Sequence, residues 1–135
     1  MQTTSTFTVE TFEPSGLAAP EVTTGTPVGV ARMVKQFRGG LEGHAETLFT
    51  SAFDQARGIG TYVAMESFSG TLDGRPGTLN IAHTATTDGG PERLHETVVI
   101  VPASGTGELA GITGTGRMHI DADGTHHLDL DYELG

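Results

Sequence analysis

The sequence contains no cysteine and no tryptophan, and its basic residues are few. Without cysteine the chain can form no disulfide framework, no thiolate metal site and no thiolate nucleophile. Seven lysine and arginine residues stand against 17 aspartate and glutamate residues, which gives a formal net charge of −10. So few positive charges make a poor phosphate-binding surface, and we therefore expect neither nucleic acid nor an anionic membrane as a partner.

Long hydrophobic runs are also absent, since no apolar stretch approaches the roughly 18 residues that a membrane helix needs. Residues 1–10 contain neither a basic region nor an apolar run, and a signal peptide is therefore not predicted. The 135 residues suffice for one domain with a real core but not for two. We expect a single domain over residues 1–135 in a soluble, cytoplasmic protein.

Glycine is abundant, with 20 residues spaced as punctuation between short alternating runs. These runs predict eight strands, at residues 3–12, 27–38, 42–53, 59–72, 77–87, 95–101, 114–120 and 126–134. The second and third runs would also allow short helices. Eight antiparallel strands favour an all-β, closed barrel whose interior just holds side chains or one small ligand. A Greek-key sandwich is the alternative.

The segment 62–77 carries the most informative arrangement of side chains. Residues two apart in a strand share a face, so Glu66 shares a face with Tyr62, Ala64 and Phe68. The dipeptide Asp73-Gly74 predicts a hairpin, and counting outward from it makes Glu66 and His83 diagonal neighbours. If this face is the interior, they form a candidate general acid/base pair. The alternatives are a hydrogen-bonded pair that only fixes strand register, or a glutamate that faces water.

Three other features receive weaker interpretations. The glycine-rich segment 104–116 lacks the lysine and the following helix of a phosphate-binding loop, so we expect a turn at the rim of the barrel. Two aspartates and two histidines lie close in sequence, namely Asp121, Asp123, His126 and His127. Adjacent histidines in a strand point to opposite faces, and no metal site is predicted. Arg32 either enters the interior, paired with a glutamate or binding an anionic ligand, or faces water.

Five parts of the chain resemble an uncharacterised bacterial family that is similar in fold to allene oxide cyclase. They are residues 37–43, 62–77, 83, 101–109 and 128–132, and the most specific of these matches is SGTGEL at 104–109. The resemblance implies one eight-stranded barrel of allene oxide cyclase type that forms a homo-oligomer, a dimer or a trimer. Relatives with this barrel steer the cyclisation of a reactive small molecule in the lumen without a cofactor. The chain departs from the family at Val98, where many members have tryptophan.

The sequence therefore favours a cofactor-independent cyclase or isomerase that acts on a small, mostly apolar metabolite, in secondary metabolism, inside the barrel. Glu66 would transfer a proton, and His83 with Tyr62 would orient or relay it. The expected ligand contacts are Ala64, Phe68, Ile81, Val98, Tyr132 and Arg32. The alternatives are a binding barrel without catalysis and a structural oligomer with a filled core. The volume of the cavity would distinguish the structural oligomer with a filled core from the enzyme and from the binding barrel.

Overall fold

A computed structural model describes residues 1–135, and the alternating runs of the sequence form eight strands. They are β1 (Gln2–Pro14), β2 (Val28–Gly39), β3 (Leu41–Asp54), β4 (Ile59–Leu72), β5 (Arg75–Asp88), β6 (Leu94–Ile100), β7 (Thr113–Ile120) and β8 (His126–Glu133). The eight predicted strands are confirmed, and the second and third runs are strands rather than helices. The one helical element is a single 3-10 turn, Gly107–Leu109. No helix has the length and apolar character that crossing a membrane requires.

The strands close into one antiparallel ring. Each strand pairs with the next, and β8 pairs with β1, so the sheet has no free edge. Asp73 and Gly74 form the turn between β4 and β5 with φ angles of 48° and 84°, the positive values that a tight two-residue hairpin turn requires. The turn fixes the register that was counted from the sequence, with Glu66 opposite Ile81 and His83 opposite Ala64.

One end of the ring is filled with side chains, and we call it the packed half. Its largest fully buried members are Phe37, Leu41, Phe68, Leu72, Leu79, Ile81, Ile100, Leu109, Ile112, Leu130 and Tyr132. Two of them, Leu109 and Ile112, come from the glycine-rich segment between β6 and β7 and are 0% exposed. This segment therefore folds back into the ring and plugs it, which is more than the rim turn that the sequence predicts. A Cβ at Gly77 would overlap the Thr106 carbonyl oxygen, so glycine is required where the plug meets β5.

The opposite end, the open half, has no such plug. Its connections are residues 15–27, 55–58, 89–93 and 121–125, and none of them fills the interior. Leu17 and Val22 of the first connection are 73% and 78% exposed, so even its apolar residues stay outside. Buried polar side chains form a layer between the two halves: Lys35, Thr47, Glu66 and His83.

Candidate functional site

A cavity of about 1020 Å³ occupies the open half. Its apolar wall includes Phe12, Met33, Phe49, Phe53, Ala64 and Met118. Its polar wall includes Lys35, Tyr62, His83, Arg93 and His126. Small-molecule sites in proteins are mostly apolar cavities of about 300–1,000 Å³ with a few placed polar groups. The open half therefore has the size and the lining of a small-molecule site.

A buried ion pair lies beneath this cavity. The Lys35 ammonium contacts Glu66 Oε1, and the side chains are only 6% and 4% exposed. Thr47, directly opposite Glu66 on β3, donates its hydroxyl proton to the same carboxylate over 3.2 Å. Lys35, the one lysine of the chain, also lies 4.7 Å from the centre of the Phe7 ring. Lys35 lines the cavity and Glu66 does not, so the ammonium separates the carboxylate from any ligand.

The second polar element is His83 with Glu96. His83 Nε2 lies 3.1 Å from Glu96 Oε2, and Glu96 Oε1 accepts the backbone N–H of Met118 at 2.8 Å. Because a carboxylate only accepts hydrogen bonds, Nε2 carries the proton of the ring. Burial lowers the pKa of His83 below its ordinary value of 6.5, against the opposing effect of the Glu96 carboxylate. The ring is therefore neutral near pH 7 and its Nδ1 is unprotonated.

The unprotonated Nδ1 of His83 faces the cavity. No protein group hydrogen-bonds to it, whereas every side-chain nitrogen or oxygen that is shut off from solvent has a partner. Nδ1 must therefore be accessible, and the cavity is the space that His83 lines. A fixed, neutral imidazole with a free nitrogen is a competent proton acceptor.

The third polar element is Tyr62 with Arg93. Arg93 Nε donates to Tyr62 Oη over 3.3 Å, and Arg93 forms no salt bridge. The Tyr62 ring stacks on Phe49 and meets the His83 ring edge-on, with ring centres 5.1 and 5.2 Å apart. Burial raises the pKa of Tyr62 above its ordinary value of 10.0, although Arg93 opposes this. The phenol therefore keeps its proton, and it can donate that proton to a ligand because its oxygen already accepts from Arg93.

Of the lysine and arginine side chains in the cavity wall, Arg93 is the one that forms no salt bridge. The pKa of His126, whose ring lies 5.1 Å from that of Phe7, is lowered by burial and then by the positive charges of Arg93 and Lys35. Asp54 is the one acidic residue in the wall, and Arg57 holds its carboxylate at 2.8 Å. An electron-rich group of a ligand would therefore be attracted to the Arg93 side of the cavity.

The structure places the uncharged site residues predicted from the sequence, together with His83, in two different parts of the ring. Tyr62, Ala64 and His83 line the cavity as expected. Four predicted ligand contacts lie in the packed half instead: Phe68, Ile81, Val98 and Tyr132. They occupy inward positions of their strands, as expected, but at the end that the segment between β6 and β7 plugs. Val98, the position where many family members have tryptophan, therefore lies outside the cavity wall.

Two predictions about charged groups need correction. Arg32 is exposed on the outer face, because β2 turns Ala31, Lys35 and Phe37 inward instead. Glu66 and His83 are diagonal neighbours but do not pair. Lys35 neutralises Glu66, and Glu96 holds His83.

Sequence reasoning missed Lys35, Glu96 and Arg93. Glu96 had a usable signal, since it precedes Val98 by two residues and so shares its inward face. Lys35 shares a face with Phe37 in the same way. Arg93 lies in the connection between β5 and β6, where strand alternation gives no guidance.

Comparisons with known proteins agree on the family. The model of a family described as "Protein of unknown function (DUF3224)" matches residues 3–132. A solved structure of a protein of unknown function from the same family, from Shewanella oneidensis, is 29% identical, with a TM-score of 0.85 over 100% of this chain and 98% of that chain. The search of curated proteins found no match. The resemblance to allene oxide cyclase stays a prediction, but the family model covers nearly the whole chain, and the chain therefore belongs to the DUF3224 family.

Proposed function

We propose that the protein binds a small, mostly apolar metabolite in the open half of an eight-stranded barrel and isomerises or cyclises it without a cofactor. The observation that carries this proposal is the neutral His83, whose Nδ1 opens into a cavity of about 1020 Å³ while Glu96 holds the other side of the ring. A structural role would need no free nitrogen there. The similarity to allene oxide cyclase agrees with the proposal but is an analogy of fold alone.

The proton transfer begins at a C–H bond next to a ligand carbonyl. His83 Nδ1 takes the proton, the bond electrons move to the carbonyl oxygen, and an enolate forms. Glu96 stabilises the imidazolium that results, since its carboxylate lies 3.1 Å from Nε2. Tyr62 donates its hydroxyl proton in a hydrogen bond to the enolate oxygen, and Arg93 adds its positive charge.

Two outcomes follow from this enolate. Return of the proton from His83 to a different carbon completes an isomerisation. Attack of the enolate carbon on an electrophilic atom of the same molecule closes a ring, and His83 then protonates the group that the attack releases. In both cases the apolar wall holds the ligand in a reactive conformation, a contribution that can reach several kcal/mol of the barrier.

Glu66 has a different role in this mechanism from the one that the sequence predicts. Its carboxylate keeps the Lys35 ammonium at the floor of the cavity. The proton transfer expected of Glu66 is assigned to His83, the group with the free nitrogen.

The test combines ligand capture with a matched pair of variants. The protein is incubated with extract of its own producing cells and studied by native mass spectrometry, with released small molecules measured separately. We expect wild type to release a chemically altered compound, and His83→Gln to retain the unaltered one. His44→Gln, on the exposed outer face of β3, is the control and should behave as wild type. If His83→Gln turns the compound over at the wild-type rate, the proposed catalysis is wrong.

The second candidate is a ligand-binding protein without catalysis. The Tyr62–Arg93 pair favours it, because two adjacent donors can anchor a ligand oxygen whether or not a reaction follows. In that case wild type and His83→Gln would both retain the same unaltered mass, and Arg93→Met would release it.

A further inference from the structure

Two histidines face each other on the outer surface, away from the cavity. His119 of β7 lies directly opposite His127 of β8 in the strand ladder. Their rings are nearly parallel, at 3°, and their centres are 4.6 Å apart. Asp121 follows His119 by two residues and begins the turn that joins the strands. One ligand atom of each of these three residues lies within 4.8 Å of the others.

The turn holds the Asp121 carboxylate in place. The Asp121 N–H donates to the Thr125 carbonyl, and the Gly124 N–H donates to the Asp121 carbonyl, each over 2.9 Å. Thr125 N–H also donates to Asp123 Oδ1 at 2.9 Å. As a result Asp121 Oδ2 lies 2.6 Å from His127 Nε2. The three side chains are therefore brought together by a hydrogen-bonded hairpin and not by a loose loop.

We infer that His119, Asp121 and His127 form a site for a divalent transition metal ion, with Zn²⁺ as the expected occupant. Two imidazoles and one carboxylate are ligands that zinc prefers, and three protein ligands leave a fourth position for water. The Asp121 oxygens lie 2.6 Å from His127 Nε2 and 3.9 Å from His119 Nε2. These values lie on either side of the about 3.3 Å that separates two ligand atoms on a tetrahedral zinc ion. Each Asp121 distance is thus less than about 1 Å from that value, and the two stacked imidazole rings would turn so that their nitrogens converge on the ion.

The surroundings favour a cation. Asp129 Oδ2 lies 3.6 Å from His119 Nδ1, which places a further carboxylate beside the ring nitrogen that would not bind the metal. His127, as a neutral ring, places its own proton on Nδ1 when Nε2 binds the ion. The hairpin carries Asp121, Asp123, Asp129 and Asp131 against a single basic residue, Arg117.

The arrangement of the ligands shows why this metal site was not predicted from the sequence. His126 and His127 do point to opposite sides of the sheet, and His126 lines the cavity. The second imidazole comes from the neighbouring strand, across the hairpin, where no contiguous spacing motif reveals it. The ion would thus join β7, β8 and their turn on the outside of the wall whose inside carries Met118 and His126. It takes no part in the proposed reaction.

The test is calorimetric titration of tag-free, chelator-treated protein with zinc chloride. We expect one equivalent to bind to wild type, with at least tenfold weaker binding to His127→Gln and to Asp121→Asn. His44→Gln, a histidine variant on the exposed face of β3, is the control outside the site and should bind as wild type.

A second measurement distinguishes the loss of a metal ligand from a loss of the fold. The replaced side chains are partly exposed, so the variants should keep the metal-free melting temperature of wild type. Zinc-induced changes in the amide NMR spectrum should be confined to residues 117–129. Binding of zinc to His127→Gln with wild-type affinity, or spectral changes outside the hairpin, would overturn the inference. Neither result depends on whether the cavity is catalytic.

Discussion

The two halves of the ring are built from the same eight strands and the same alternation, yet one is filled and the other encloses a cavity. The difference begins with side-chain size. The packed half carries rings such as Phe37, Phe68 and Tyr132, whereas the open half has small inward residues such as Ala31 and Ala64. The connections between strands add to the difference between the halves, because only the segment between β6 and β7 enters the ring. Alternation decides which side chains point inward, and volume decides whether they leave space.

The boundary between the halves is where the buried charges lie. Lys35 and Glu66 are next to the packed core on one side and to the cavity on the other. A buried ion pair adds little net stability, because the desolvation of both charges offsets their attraction. Its position at the floor of the cavity is therefore better explained by a role in the open half than by the stability of the fold.

The largest expected difference in the free energy of unfolding is between two variants in which a phenylalanine is replaced by alanine. Phe68→Ala removes a ring from the packed half and leaves a void, and should lower the free energy of unfolding by about 3–5 kcal/mol. Phe49→Ala removes a ring that already borders the cavity, so the loss should be less than half as large. Urea unfolding of both variants measures the contrast. Equal losses would mean that the open half is as tightly packed as the other.

The ion pair at the boundary should give the next largest effect. Glu66→Gln leaves the Lys35 ammonium buried without its partner, which should lower the free energy of unfolding by about 3 kcal/mol, the lower end of the usual range. The lower end is expected because Lys35 borders the cavity. Replacing both residues, Lys35→Met with Glu66→Leu, should recover most of this loss. If the double variant is no more stable than Glu66→Gln, the two charges do not act as a pair.

Filling the open half should affect binding more than stability. Ala64 lies between Phe49 and His83 in the strand ladders, so Ala64→Leu projects into the cavity. We expect a stability change within about 1–3 kcal/mol, because the new side chain has space to occupy. Retention of a small molecule in native mass spectrometry should be lost. The control is Ala82→Leu on the outer face of β5, which should change neither; retention by Ala64→Leu would place the ligand elsewhere.

The sequence was a good guide to the strands and to the inward face of β4 and β5. Tyr62, Ala64 and His83 line the cavity because their positions are counted from the Asp73-Gly74 turn, which fixes the register of β4 and β5, while their roles in binding or catalysis stay predictions. β2 offered no such reference point, and both of its faces carry a cation. Because a shift of one residue exchanges the two faces of a strand, Arg32 was proposed for the interior in place of Lys35.

Which half of the ring is open could not be predicted from alternation. Phe68, Ile81, Val98 and Tyr132 point inward as expected, yet they belong to the same buried cluster as Leu109 and Ile112 of the plug and do not line the cavity. Their position depends on the path of residues 101–112, and a path through space is set by packing that a strand pattern does not contain. Glu96 was missed for another reason: alternation places it on the inward face of β6, but its partner His83 follows only from the register between β5 and β6.

The smallest expected effect is a dependence of stability on pH that originates at the boundary of the two halves. Burial lowers the pKa of His83 below 6.5 in the folded protein, so the unfolded chain binds a proton more readily. The free energy of unfolding should therefore be constant above about pH 7, where both states are neutral, and fall as the pH drops through 6.5 toward the folded pKa. Urea unfolding at several values between about pH 5 and pH 8 measures this dependence, and His83→Gln should make the curve of unfolding free energy against pH flatter.

His126, whose pKa is also lowered, contributes in the same direction, so His126→Gln is the comparison. The more deeply buried His83 should account for the larger part, and a larger loss of slope in His126→Gln would mean that the Glu96 carboxylate compensates most of the burial of His83.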